Sequence, residues 1–387
     1  MHKQKRNIWL MYLITALDYS WFWAAIWVLF YLRYTNYAGI GLLESIMIIT
    51  MVVGEIPTGA IADMLGKKKT LLLALAIGSI GYFILGNAPT FLILSIGLFI
   101  LNIGGTLTSG TNEALIYDSL LSIKQESKYE KVLGNISSIK MLTLAITSII
   151  GGYMYKISPG LPYTALAVTK IFALSLGFFL TEPPVDSYVF TWKNYIKQTK
   201  EGVRELFKTK AIKIQNLLLI ALTMIVIING HVLIDAQLVA EGWDADQLGI
   251  IVFSMYLVSA GVGQTTNFFS KRFGKQNTTI FAAILIALTM LLVPYLGILA
   301  GTILIASRNG LIEIFGNSAS NAINATTDSK YRATALSSYS MFSNIPYVLG
   351  AFGIGYLMDF YSVHTVTAVL GAVLMFTGVY AFRTVKK

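Results

Sequence analysis

Twelve apolar stretches, each of the ~20 residues a helix needs to cross hydrocarbon, take up most of this 387-residue sequence and leave short polar turns between them. They fall at 8–33, 39–62, 70–87, 91–117, 132–155, 162–181, 213–238, 246–269, 277–297, 299–325, 333–357 and 364–382. A chain of this pattern has few options. In hydrocarbon every backbone N–H and C=O must find a partner inside the protein, which leaves helices at these lengths. Composition agrees: 55% of residues are apolar and 12% charged, against about a quarter charged in a soluble domain, and the mean hydropathy is +0.67. The fold class expected is all-α and polytopic, with twelve transmembrane helices.

The net charge of +10 reports topology, not nucleic-acid binding. Of the 29 lysines and arginines, only Arg33 and Lys156 fall in loops on one side, and Lys140, Lys170 and Arg308 fall within spans. The others cluster in alternate loops, and such loops stay in the cytoplasm. The expected location is the inner (cytoplasmic) membrane, multi-pass, with both termini cytoplasmic and membrane lipids as neighbours. The first stretch is too long for a cleaved leader and carries no small-residue cleavage site, so it reads as a retained span. The absence of cysteine excludes disulfides and thiolate metal sites. No serine elbow, His-Glu-x-x-His or phosphate loop occurs, which argues against an enzyme. No cofactor is expected, and with no ATP site any uphill step needs a proton or other ion gradient.

The longest polar segment, 182–212, divides the chain into six-span halves, 1–181 and 213–387. It opens with the helix stop Thr181-Glu182-Pro183-Pro184. It continues with Ile196, Val203, Leu206 and Phe207 at helical spacing among cations, the pattern of an amphipathic helix on the inner leaflet. The halves echo each other. Ser127-Lys128-Tyr129 returns as Ser329-Lys330-Tyr331, Gly151-Gly152-Tyr153-Met154 as Gly353-Ile354-Gly355-Tyr356-Leu357-Met358, and Gly66-Lys67 as Gly274-Lys275. Echoes at near-constant offset in equivalent turns predict a duplicated six-helix unit.

The turn between spans two and three reads Gly59-Ala-Ile-Ala-Asp63-Met-Leu-Gly66-Lys67-Lys68-Lys69. Gly59 lets another helix approach, and the Asp63 carboxylate can accept from the N-terminal amides of a facing helix. Gly66 permits a tight turn, and the lysines reach carboxylates or lipid phosphates. Twelve spans in two halves with this turn resemble the major facilitator superfamily of secondary transporters. Thr111-Asn112-Glu113-Ala114-Leu115-Ile116-Tyr117-Asp118 and Tyr331-Arg332-Ala333-Thr334-Ala335-Leu336-Ser337-Ser338 also resemble segments of its bacterial drug or metabolite exporters. The resemblance implies two six-helix bundles and alternating access. It also implies that Asp63 meets the start of span eleven near Arg332, while Lys67 or Lys68 pairs with Asp118, latching the cytoplasmic side. The sequence departs from the pattern at Lys271 and Asn267, which stand where the second half would repeat Asp63 and Gly59. It departs again at Leu98, where exporters carry arginine, and at Thr143, Thr147 and Ser148, where they carry glycine, glycine and proline.

A charge at mid-bilayer costs at least ~2.5–3.5 kcal/mol, so those within spans are the candidate proton- and substrate-binding residues. They are Asp18, Glu55, Glu113, Lys140, Arg308 and Glu313, with Trp21 beside Asp18. On a continuous helix Tyr19, Trp23 and Trp27 share one stripe, and Asp18, Trp21 and Phe22 a neighbouring one. An acid beside aromatic faces suits a cation or a proton. Arg308 and Glu313 stand about 140° apart on one helix and need not pair. The plainer reading of each charge is an interhelical ion pair; Lys170 reads as a supporting residue and His231 as structural. The expected function is proton-linked export of a small amphipathic or cationic solute by a monomer. A uniporter, importer or lipid flippase for an anionic or zwitterionic substrate, and a transporter-like receptor without flux, are the alternatives.

Overall fold

The computed structural model describes residues 2–108, 110–184, 192–328 and 331–385, with the backbone alone at 2, 52–64, 192–195, 198, 333 and 385. Among the described residues every regular element is helical. In chain order these are α1 (His2–Asp18), α2 (Trp27–Tyr31), α3 (Tyr37–Leu65), α4 (Lys67–Gly86), α5 (Phe91–Thr108), α6 (Thr111–Ser122), α7 (Tyr129–Ile157) and α8 (Leu161–Gly177). There follow α9 (Trp192–Leu206), α10 (Lys210–Ile228), α11 (Ile234–Ala240), α12 (Ala245–Gln264), α13 (Thr266–Phe273), α14 (Lys275–Leu292), α15 (Ile298–Thr326), α16 (Arg332–Phe360) and α17 (Val363–Val385). Nine helical stretches of the described residues are long and apolar enough to cross a membrane, and Tyr37–Met51 and Leu161–Gly177 are shorter apolar helices. Each of the twelve expected spans falls on helix.

The chain divides into two compact units, Met1–Thr35 with Leu43–Phe190 and Asp244–Phe253, and Asn36–Leu42 with Thr191–Trp243 and Ser254–Lys387. In the first, α4 packs against α5 and α8, while α1 packs against α6, α7 and α8. In the second, α14 packs against α15 and α17, and α10 against α16 and α17. The trio α4–α5–α8 thus recurs as α14–α15–α17. The turns ahead of α4 and α14 match as well: Gly66 has φ 87°, ψ 155° and Gly274 φ 84°, ψ 150°. Thr70 and Thr278 each donate a hydroxyl to the respective glycine carbonyl at 2.8 Å. The duplication expected from the sequence is present in backbone geometry.

Four spans are not the continuous helices expected. The first breaks after Asp18, and residues 19–26 form successive tight turns before α2. Trp21 N–H donates to the Tyr19 carbonyl and Phe22 N–H to that of Ser20, both at 2.8 Å. Ala24 and Ile26 return to Trp21 and Trp23 at 3.0 and 2.9 Å, so most of the unwound backbone is satisfied locally. The physical cause lies across the unit, in α7. A Cβ at Gly151 would collide with the Phe22 carbonyl, so only glycine there admits this backbone. Span four breaks between Thr108 and Thr111, where Gly110 has φ 73°. Span seven carries a π-helical turn, Asn229–Leu233, and span eight breaks at Thr265.

The linker helix α9 has one apolar side and one cationic side. Gly202 and Leu206 are buried, and a Cβ at Gly202 would stand 2.6 Å from the Thr334 carbonyl of α16. Phe207 meets the Phe342 ring edge-on at 5.9 Å. Ile196 is 49% exposed, and Lys197, Lys200 and Arg204 are exposed. The glycine docks one side of α9 on its own unit and leaves the cationic side outward.

Candidate functional site

The break in span one sets the C-terminus of α1 inside the first unit, with Asp18 as its last residue. Asp18 is buried and forms an ion pair with Lys170 of α8. The Lys170 ammonium also lies 5.5 Å from the centre of the Tyr82 ring. The helical stripes expected for the following aromatics do not form, because residues 19–26 are not helical. Extended spacing takes their place. Tyr19 stacks on Trp21 at 5.3 Å and 14°, and Trp21 on Trp23 at 5.1 Å and 19°. Trp21 is therefore the middle of a three-ring ladder and does not share a helix face with Asp18. Lys140 of α7 caps the ladder, its ammonium 4.4 Å from the Tyr19 ring centre, a cation–π contact. All three rings are half-buried. Cation, flat apolar faces and a paired carboxylate meet where a transmembrane helix is interrupted, the place where discontinuous helices form solute sites.

Glu113 stands in the first turn of α6, just past the second break. There the exposed amides of a helix start favour a carboxylate. It lies in electrostatic reach of the Tyr129 hydroxyl, whose ring meets Tyr117 edge-on at 5.2 Å. In the second unit, Arg308 is wholly buried, held by Thr289, Asn229 and Gln237. Glu313 on the same helix is half-buried beside Gly263. The two do not form an ion pair.

The turn ahead of α4 is a separate cluster. Lys67 pairs with Asp118 near the end of α6. The backbone amides of Lys67 and Lys68 donate to the two Glu182 carboxylate oxygens at 2.7 and 2.8 Å, and Lys68 Nζ donates to the Phe178 carbonyl at 2.8 Å. Glu182 thereby caps the N-terminus of α4. Asn7, fully buried, donates to Ser119 Oγ at 2.9 Å and the Thr181 carbonyl at 2.8 Å, and accepts from Thr181 N–H at 3.0 Å. One amide thus ties α1, α6 and the segment after α8. The side chains of Glu55, Gly59 and Asp63 lie outside the described residues, and Arg332 is exposed at the start of α16.

Sequence reasoning missed Glu182 as a cap, Asn7 as a clamp and Lys170 as the partner of Asp18. The Glu182 signal was a carboxylate placed just before Pro-Pro at a span end. Asn7 and Lys170 carry no local signal. Among the described residues no three histidines or acids gather as for a metal ion.

The family model described as Major Facilitator Superfamily matches residues 8–328. The chain belongs to this superfamily. No curated protein matches its sequence. The fold is similar to that of the nucleoside transporter NupG, with a TM-score of 0.78, 18% identity and 100% of both chains covered. A mutant of NupG gives the same score and identity over 97% of this chain and 99% of that one. A bacterial homolog of the human lysosomal transporter Spinster, in an inward-facing and occupied conformation, has a TM-score of 0.72 at 13% identity, covering 100% of this chain and 97% of its own. The chain is thus a multi-pass membrane transporter by family, with a small-molecule substrate and a lipid environment.

Proposed function

We propose that this protein is a proton-coupled secondary transporter that moves a small amphipathic solute with a flat ring across the cytoplasmic membrane by alternating access. The observation that carries this reading is the interrupted first span, with the Tyr19–Trp21–Trp23 ladder, Lys140 at its end and the Asp18–Lys170 pair beside it. Aromatic faces favour planar partners. Lys140 supplies a donor for a polar group on the solute. A proton arriving on Asp18 cancels the charge that holds Lys170, which links protonation to rearrangement of α1 against α8. Glu113 is the second candidate for protonation, and Arg308 and Glu313 serve the second unit. Likeness to a nucleoside transporter supports a nucleoside-like ring as the first solute to test.

In this reading the Gly59–Lys69 turn is the cytoplasmic latch, with Lys67 held by Asp118. Direction follows the gradient, so export and import use the same parts. A second reading, a uniporter or flippase for an anionic substrate, is favoured by the two cations Lys140 and Lys170 at the break.

The deciding experiment uses purified protein in liposomes with an imposed pH gradient. It follows radiolabelled uridine, the aromatic cation tetraphenylphosphonium and a fluorescent anionic phospholipid. Gradient-driven flux of uridine or the cation, abolished in Asp18→Asn, is expected. Lipid movement independent of the gradient supports the second reading, and no flux above empty liposomes leaves a receptor. Trp21→Ala removes two stacked pairs of about 0.5–1.5 kcal/mol each within the ladder, so thermal unfolding in detergent should show a loss of about 1–3 kcal/mol.

A further inference from the structure

The second unit holds a chain of polar side chains that the reading above uses only at its buried end, Arg308. It starts at Arg308, whose guanidinium can only donate. Its Nη1 donates to Gln237 Oε1 and, at 3.2 Å, to Asn229 Oδ1; its Nε donates to Thr289 Oγ1 at 3.0 Å and its Nη2 to the Thr289 carbonyl at 3.3 Å. All of these acceptors are neutral. The amide nitrogen of Asn229 finds no acceptor among the described residues.

The direction of each later bond follows from the first. Because Arg308 takes the Gln237 carbonyl, the Gln237 amide nitrogen faces His364 Nδ1, at 3.0 Å. An amide nitrogen only donates, so Nδ1 must accept. The ring proton of neutral His364 therefore sits on Nε2, which points at Glu241 Oε1, 3.6 Å away. The His364 side chain is 24% exposed and that of Glu241 9%, so the pair touches solvent while Arg308 and Gln237 are fully buried.

A proton entering from solvent can bind the imidazole only at Nδ1, where Gln237 now donates. Two donors would then face each other. Turning the Gln237 amide over relieves that clash and creates the same clash at Arg308. In either orientation the Gln237 carbonyl faces only one of the two cations. We propose that His364 and Glu241 form a proton-binding site whose occupancy Gln237 passes to Arg308, loosening the π-helical turn Asn229–Leu233 of span seven when the proton is bound. π-Helical turns often sit at functional positions. Glu241 faces Nε2, and the ring stands in the first turn of α17.

Asp235 of α11 is engaged, in electrostatic reach of the Tyr256 hydroxyl, and the other charged groups on neighbouring elements are engaged or remote. Asp359 at the end of α16 accepts from the Tyr37 and Ala38 amides at 2.9 and 3.0 Å. Tyr295 beyond α14 is 85% exposed. His231 in the π-helical turn lies against the Tyr347 ring at 5.1 Å. Arg383 is at the far end of α17. The site depends on the transport reading only for the use made of its proton.

The chain contains three histidines, which makes the test direct. The full-length protein, labelled with 15N-histidine in bilayers, is followed by magic-angle-spinning NMR across pH, with His364→Gln assigning the signal. Neutral His364 should carry its proton on Nε2. Hydrogen exchange at Asn229–Leu233 should quicken at least about tenfold as the imidazole protonates, the expected result of losing a charge-assisted hydrogen bond. In His364→Gln that response should vanish, and in Gln237→Leu His364 should still titrate while the turn no longer follows. A neutral ring protonated on Nδ1, a turn indifferent to pH, or an unchanged response in His364→Gln overturns the proposal. The exchange measurement across pH needs only the wild-type protein. None requires a substrate, so a failure of the transport reading leaves these readouts intact.

Discussion

The turns ahead of α4 and α14 have nearly the same backbone and opposite surroundings. Each places a glycine at φ near 85° and a threonine that donates to the glycine carbonyl four residues back. Around Gly66 the space is taken. A Cβ would stand 3.0 Å from the Glu182 carboxyl group, which caps the two amides that follow, and Lys67 reaches Asp118. Around Gly274 a Cβ would meet nothing within 4 Å. Duplication preserved the backbone of the turn, whereas the contacts that tie it to the rest of its unit are found in the first copy. The geometry is inherited from the repeat and the fastening is local to one half.

The widest separation between the two copies should come from the glycines. Both Gly66→Ala and Gly274→Ala force a Cβ onto a backbone of positive φ and extended ψ that glycine alone ordinarily adopts, at about 1–3 kcal/mol. At Gly66 the Glu182 carboxylate must also draw back from two amides, a cap worth about 1 kcal/mol or more. Thermal unfolding in detergent should therefore place Gly66→Ala at a loss of about 3 kcal/mol and Gly274→Ala at about half that. Equal losses would mean that the Glu182 contact adds no stability, and the contrast between the copies would then be one of shape alone.

Next in size is the ion pair. The Lys67 and Asp118 side chains are 17% and 9% exposed, so solvent screens the pair only in part. Asp118→Asn should cost about 1–2 kcal/mol. The double-mutant cycle with Lys67→Gln should return a coupling of at least about 0.5 kcal/mol. The corresponding Lys275→Gln in the second copy should be neutral within about 0.5 kcal/mol. A coupling of zero would identify Lys67 as a topology signal and nothing more.

Much of this was legible in the sequence, and what was not has a common physical origin. Hydropathy placed the expected spans on helix, nine of them in stretches that among the described residues are long and apolar enough to cross a membrane, because length and composition decide what crosses hydrocarbon. Repeated Gly-Lys pairs and the Ser-Lys-Tyr echo revealed the duplication. The break after Asp18 was invisible, since Tyr-Ser-Trp-Phe-Trp contains neither glycine nor proline. Its cause is Gly151, which admits the Phe22 carbonyl from across the unit. Asp18 could be singled out as a charge in the wrong solvent, but Lys170, its partner, lies 152 positions on. The aromatic residues were noticed and their spacing misjudged, because a stripe four residues apart presumes the helix that Gly151 interrupts. Local patterns report local structure, and the irregular segments that build the candidate site are imposed by residues remote in sequence.

The smallest effect tests the fastening most cleanly. Glu182→Gln keeps one side-chain oxygen for an amide of α4 and removes the negative charge at the helix start. It should cost about 0.5–1 kcal/mol, and the loss should shrink as salt is raised, because the charge–dipole part is screened at an exposed helix end. It should also bring Gly66→Ala closer to Gly274→Ala when the two changes are combined, since the carboxylate that the new Cβ crowds is no longer a charged cap. Adding Glu182→Gln to Gly274→Ala should simply sum, the sites having no partner in common. Additivity at both glycines would separate Glu182 from the turn, and the difference between the two copies would then have to be sought in Lys67 and Asp118.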